Sequence, residues 1–325
     1  MKKIVYSQFG NPAEVLEVEE VPDATLRPGE IRVNVLATPI HPADLLQIAG
    51  NYGIRPQLPA TPGNEGAGRV VESEAPGVSV GQTVLLPAGL GSWRDHFVGP
   101  AQAFVPMPNE VDPHQLAMLS VNPVSAHLLL NFFVDLEAGD WVVQSAANST
   151  VGGYVMQLAK HRGLKTINVV RRQSAVDPLS DAGADVVLVD GPDLATRIKE
   201  AVGDGRLPLA LDAVGGETFS RLADALSPGG TIVSYGLLSG QGPVLPPTAL
   251  VFNGVRARGF WLSKWFQEAS PADIQATFGA LVPLIAKGVL RGRIAGTYPL
   301  DQIGQAVAHA AQDNKDGKVL LAPHE

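Results

Sequence analysis

No cysteine occurs among the 325 residues. That excludes a disulfide framework, a thiolate zinc site, an iron–sulfur cluster and a cysteine nucleophile. Charge of one sign is nowhere concentrated: the net charge of −8 comes without a block of like residues, so there is no basic footprint for nucleic acid or anionic lipid. The uncharged stretch from Ala225 to Val255 holds six Gly and four Pro, which no membrane-spanning helix accommodates. Met1 to Tyr6 passes straight into a strand-like pattern with no apolar leader behind it. These absences predict a soluble, cytoplasmic protein with no nucleic-acid or membrane partner.

What is abundant is punctuation. The chain carries 35 Gly and 26 Pro within a composition that is 45% hydrophobic, so it turns often and still has enough apolar material for a buried core. Up to about Pro108 short alternating strands such as Ile31–Val35, Gly68–Glu72 and Thr83–Leu86 are broken by Gly and Pro, the pattern of a β-barrel-like unit. From Asp140 the texture changes to continuous apolar runs alternating with helical patterns. Trp141–Ala147 reads as a strand, Val151–Arg162 as a helix and Thr166–Val170 as a strand; Asp185–Val189, Leu209–Val214, Thr231–Tyr235 and Gly259–Leu262 continue the series. Such strands with crossover helices predict a parallel sheet covered on both faces. The expected organisation is an α/β protein in which a barrel-type domain (1–117 and 265–325) is interrupted by a nucleotide-type domain (118–264), with the last strand, Lys318–Leu321, returning to the first unit.

The first strand of the second unit runs into Ala147-Asn148-Ser149-Thr150-Val151-Gly152-Gly153 and then a helix. A dinucleotide fold needs a tight turn here so that the pyrophosphate meets the helix N-terminus and its free N–H groups. With small residues and Gly152 in place of three glycines, the segment is equally a plain strand–turn–helix; six strands in the right rhythm favour the cofactor. The next strand ends in Arg171-Arg172, where an NAD site carries an acid. Two guanidinium groups suit the 2′-phosphate of NADPH, though a solvated surface pair is the bland alternative.

The strings Gln47–Gly53, Leu58–Gly66, Gly89–Arg94, Val121-Asn122-Pro123, Thr166–Arg171 and Arg258–Ser263 together resemble the medium-chain dehydrogenase/reductase superfamily, and within it the mitochondrial-type trans-2-enoyl thioester reductases. The resemblance covers nearly the whole chain. It implies a GroES-like barrel, a Rossmann domain, a cleft between them, and reduction of α,β-unsaturated acyl thioesters, carried on coenzyme A or acyl carrier protein, by NADPH. It further implies that Tyr52 is the proton donor. Asn122, the turn Asn148, Ser149, Thr150 and Val151, Arg171, Tyr235, Gly236, Leu237 and Leu238, Phe260, Trp261, Leu262 and Ser263, and Lys318 fall at its cofactor-contacting positions. Arg171-Arg172-Gln173 departs from the Arg-Asp-Arg of that family, and the connection after it is shorter. A homodimer, paired through the edge of the sixth strand, is the family expectation.

The residues carry chemistry of their own. Without cysteine, and with Asn64 where zinc dehydrogenases place a histidine ligand, His41 alone makes no three-ligand metal site. Conjugate reduction needs no Lewis acid, because the thioester carbonyl accepts charge as an enolate. It does need a proton at the α-carbon. A phenol is protonated at neutral pH and both donates and orients, so Tyr52 is the candidate acid, with a water as the alternative carrier. Asn122 orients cofactor or substrate oxygen, or else caps the helix Val124–Phe133. Trp261, at the end of the sixth strand, is a core aromatic that also shapes the acyl entrance. Asp44 is expected to cap a short helix, Glu65 to satisfy barrel groups, and Asp212 to serve turn chemistry. Arg55, Arg94, Arg258 and Lys264 are the charges available to an acidic substrate. A quinone oxidoreductase of the same superfamily and a non-catalytic NADPH-binding protein remain as alternative functions.

Overall fold

The computed structural model describes residues 1–313 and 315–325. It forms two compact units, one from Met1–Val121 with Ile285–Glu325 and the other from Asn122–Leu284. In the first unit a long strand, Glu30–Pro39, organises a seven-stranded sheet. Its Ile31, Val33, Val35 and Ala37 are fully buried while the alternate residues are half-exposed, the period-two pattern of a strand with one face in a core. It pairs antiparallel with Ala67–Ser73, His96–Pro100 and the returning strand Lys318–Leu321, all four of whose residues are buried. A second core, holding Ile4, Tyr6, Ile40, Ile48, Trp93 and Val319, lies under the short helix α1 (Pro42–Ile48). Pro42 at its first position and Asp44, whose Oδ2 accepts from the His41 N–H at 2.7 Å, start α1 as expected. Gly50, at φ 75°, ends it.

The second unit is a six-stranded, all-parallel sheet of β1 (Trp141–Gln144), β2 (Lys165–Val170), β3 (Val186–Val189), β4 (Leu209–Asp212), β5 (Thr231–Ser234) and β6 (Arg256–Gly259). Their spatial order is 3-2-1-4-5-6, the doubly wound dinucleotide-fold order that the sequence rhythm predicts. The central strands β1 and β4 are buried throughout because helices cover both faces. Helix α2 (Asn122–Asn131) leads into the unit and α3 (Thr150–His161) follows β1.

Three expectations shift. Helix α2 includes Asn122 rather than beginning at Val124. The sixth strand lies earlier, at Arg256–Gly259, and a helix begins at Leu262. The apolar run Phe260-Trp261-Leu262 imitates a buried strand, whereas the pairing segment is an exposed edge that needs no apolar side chains. The return to the first unit falls after Leu284 rather than at 264/265. That seam lies inside helix α4 (Pro271–Ala286), so no turn residue marks it.

Candidate active site

In the second unit, parallel strands bring their C-terminal ends to one side of the sheet, and the order reverses between β1 and β4, where such folds open a crevice. Two side chains brace that point: Ser145 Oγ donates to Asp212 Oδ1 at 2.7 Å and accepts from the Ala213 N–H at 2.9 Å. Asp212 also accepts from the N–H groups of Val214 and Gly215, the turn chemistry expected of it. Burial raises its pKa. The Ser145–Asp212 brace was not visible in the sequence, since no spacing rule joins residues on separate strands.

The turn after β1 places Ala146 at φ 48°, a left-handed conformation usually reserved for glycine. Ser149 caps α3, its Oγ accepting from the Gly152 N–H at 3.1 Å. Asn148 is exposed and Ser149, Thr150 and Val151 are half-buried at the helix start. Gly152 is needed for space. A Cβ there would sit 2.4 Å from the Ala147 carbonyl oxygen, while one at Gly153 would meet nothing within 4 Å. Gly152→Ala is therefore expected to lower stability by ~1–3 kcal/mol, and Gly153→Ala to leave it equal or raise it by up to ~1 kcal/mol. Urea midpoints at unchanged m-value check the pair.

The other expected residues of this unit also cluster at strand ends. Arg171 and Arg172 follow β2 and are exposed. Tyr235 and Gly236 follow β5, and a Cβ on Gly236 would come within 2.9 Å of the Ala213 oxygen. Burial, then the Asp212 carboxylate, push the Tyr235 phenol up, so it stays a donor. Leu237 and Leu238 are exposed beyond it. After β6, Phe260 packs edge-on against Phe133 at 6.0 Å, Trp261 is 43% exposed, and Leu262 and Ser263 open the next helix. Asn122 is 4% exposed, and its Nδ2 has no hydrogen-bond partner. A buried donor without an acceptor is costly unless something else supplies one.

In the first unit, Tyr52 is half-buried on the turn that closes α1. The Asn51 N–H donates to the Leu46 carbonyl at 2.8 Å, and the Arg55 guanidinium donates twice to the Gly50 carbonyl, at 3.0 and 2.7 Å. Lys318 is buried, and its Nζ donates to His41 Nδ1 at 3.1 Å. Asn64 Nδ2 donates to Asp44 Oδ1 at 2.5 Å. Among the described residues no group of three or more His, Asp or Glu stands so as to hold a metal ion, and no helix is long and apolar enough to cross a membrane.

Family models match both units: the alcohol dehydrogenase GroES-like domain over residues 27–109 and the zinc-binding dehydrogenases over residues 150–282. The human mitochondrial enoyl-[acyl-carrier-protein] reductase is 38% identical over 329 residues, which cover 99% of this chain and 88% of that protein. Among solved structures, the Etr1p/NADP/crotonyl-CoA complex matches with a TM-score of 0.89 at 26% identity over 99% of each chain. A mycobacterial quinone oxidoreductase matches at 0.85 and 26% identity over 99% of this chain and 100% of that one. The relatives correct one expectation. They are mitochondrial proteins, which contradicts the cytoplasmic location. Lack of cysteine suits any reducing interior and carries no address. With both its domains and nearly its whole length matched, the chain belongs to the medium-chain dehydrogenase/reductase superfamily and, within it, to the family of the mitochondrial enoyl thioester reductases.

Proposed function

We propose that this chain reduces the C2–C3 double bond of trans-2-enoyl thioesters, on coenzyme A or acyl carrier protein, with NADPH as cofactor. The observation that carries the reading is the 38% identity to an enoyl-[acyl-carrier-protein] reductase along essentially the full chain. The residues suit the cofactor: Gly152 and Gly236 lie where a Cβ would collide, Asn122 keeps an unpartnered buried amide, and two arginines follow β2. When bound, NADPH supplies a hydride to C3.

The chain supplies the rest. The N-terminus of α3, with the Asn148–Gly152 turn, faces its free N–H groups to the pyrophosphate. Arg171 and Arg172 hold the 2′-phosphate. Asn122, Tyr235–Leu238, Phe260–Ser263 and Lys318 orient the remainder of the cofactor, and Trp261 borders the acyl entrance. As the thioester carbonyl takes up charge as an enolate, the Tyr52 hydroxyl gives its proton to C2 and regains one from water. A homodimer belongs to the same reading. Strand β6 ends the sheet with all four residues exposed, and Leu250, Val251 and Phe252, the last 82% exposed, lie just before it. An uncovered edge beside apolar side chains is one that proteins normally pair or protect.

The test follows NADPH consumption with crotonyl-CoA, a simple quinone and a saturated aldehyde in parallel. The expected result is turnover of crotonyl-CoA alone. Quinone turnover alone would place the chain with the quinone oxidoreductases whose fold it shares, and saturable NADPH binding with no consumption would make it a binding protein.

A further inference from the structure

Four ionisable side chains of the first unit meet in its interior, none more than 5% exposed: His41, Asp44, Glu65 and Lys318. They arrive from the start of α1, from the segment before strand Ala67–Ser73, and from the first residue of the returning strand. The chemistry of the reaction as written above uses none of the first three. Groups this costly to desolvate are kept only where they are paired or put to use.

The contacts form a directed chain. An ammonium has no lone pair, so where Lys318 Nζ meets His41 Nδ1 at 3.1 Å the imidazole accepts. The ring proton then sits on Nε2 and points at Glu65 Oε1, 2.7 Å away. His41 is accordingly neutral; burial and the Lys318 charge both push it that way. The second Glu65 oxygen accepts from the Val121 N–H at 2.9 Å, one residue before Asn122. Asp44 closes the group, held by the His41 N–H and by Asn64. One carboxylate thus ties down Lys318, through the imidazole, and the backbone next to Asn122, and both residues are cofactor contacts in the proposed function.

We propose that His41 and Glu65 are positioning residues: Glu65 holds the imidazole in the tautomer with its proton on Nε2, which leaves Nδ1 to accept from Lys318 and so aims the lysine ammonium at NADPH, while the other Glu65 oxygen fixes the backbone at Val121. The inference rests on the NADPH-dependent reading. It concerns how the cofactor is held, not which acceptor is reduced.

Side-chain length allows the chain to be cut on either side of the imidazole. An asparagine amide reaches as far as Nδ1, so His41→Asn keeps an acceptor for Lys318 and drops Glu65. A glutamine amide reaches as far as Nε2, so His41→Gln keeps the donor to Glu65 and strands Lys318. His41→Leu does neither. NADPH titrations of the purified full chain, followed by cofactor fluorescence with melting temperatures measured alongside, read the outcome. The dissociation constant is expected to rise about tenfold or more in His41→Leu and His41→Gln, the loss of a hydrogen bond to a charged group. In His41→Asn it should stay within about threefold. Equal weakening in all three, weakening that follows melting temperature instead of the Lys318 acceptor, or no weakening at all overturns the proposal. A wild-type chain that binds no NADPH overturns it together with the cofactor reading, whereas one that binds NADPH but leaves crotonyl-CoA untouched sinks the reaction reading alone.

Discussion

Tyr52→Phe is expected to cut turnover of crotonyl-CoA by on the order of 10²-fold or more, the contribution of a positioned acid, with NADPH affinity unchanged. The substitution removes one oxygen and keeps the ring, and the turn that carries the ring has backbone bonds of its own. Gly50 at φ 75°, the Asn51 N–H on the Leu46 carbonyl and the Arg55 guanidinium on the Gly50 carbonyl all act through backbone. The deficit should therefore appear in kcat at saturating NADPH and enoyl thioester, not as a shift in the cofactor titration. A loss below tenfold would hand the proton to a water and leave Tyr52 an orienting role; near-normal kcat and KM would remove it from the mechanism.

Lys318→Met is expected to destabilise the protein by about 3–5 kcal/mol near pH 7, the usual cost of leaving buried charge without its counter-charge. Lys318 is the cation that faces Glu65 and Asp44, and its own pKa is held down to about 8 by burial. Burial already raises Asp44 to about 6 and Glu65 well above its ordinary value, with Lys318 opposing both. Without the ammonium both rise further. A carboxyl whose folded pKa lies above its unfolded pKa binds more protons folded than unfolded in that interval, so stability falls as pH rises through it. The variant's deficit should accordingly shrink between pH 7 and pH 5. Urea midpoints of wild type and variant at the two values measure this, and a deficit independent of pH would show that the cost is packing and not charge.

Much of the fold was legible because periodicity reports it. Alternation along Ile31–Val35 and continuous apolar runs such as Leu209–Leu211 suit strands, and their order along the chain points to the doubly wound sheet, although the run Phe260–Leu262 shows that an apolar run can also fall outside a strand. The turn at Gly152 was legible for a related reason: a glycine opening a helix after a buried strand has a specific steric use. Long-range polar contacts were not. His41 and Lys318 stand 277 positions apart and Ser145 and Asp212 67 apart, so no local pattern announces either pair. The surroundings of the charged groups were not legible either. Arg55 and Arg94, named as available to an acidic substrate, donate to the carbonyls of Gly50, Gly91 and Leu90, and Arg94 and Arg258 lie over the rings of Phe97 and Phe133. Composition counts guanidinium groups, and only the fold says what they face.

The strand Lys318–Leu321 is wedged between Ile294–Tyr298 and Thr38–Pro39 with every side chain buried. On a ribosome, the segments that make up most of that sheet emerge first yet must wait for this tetrapeptide, while Asn122–Leu284 has all its own strands in hand and is free to fold as a body. The first unit is therefore expected to close after the second, because its sheet is complete only once Lys318–Leu321 is in place.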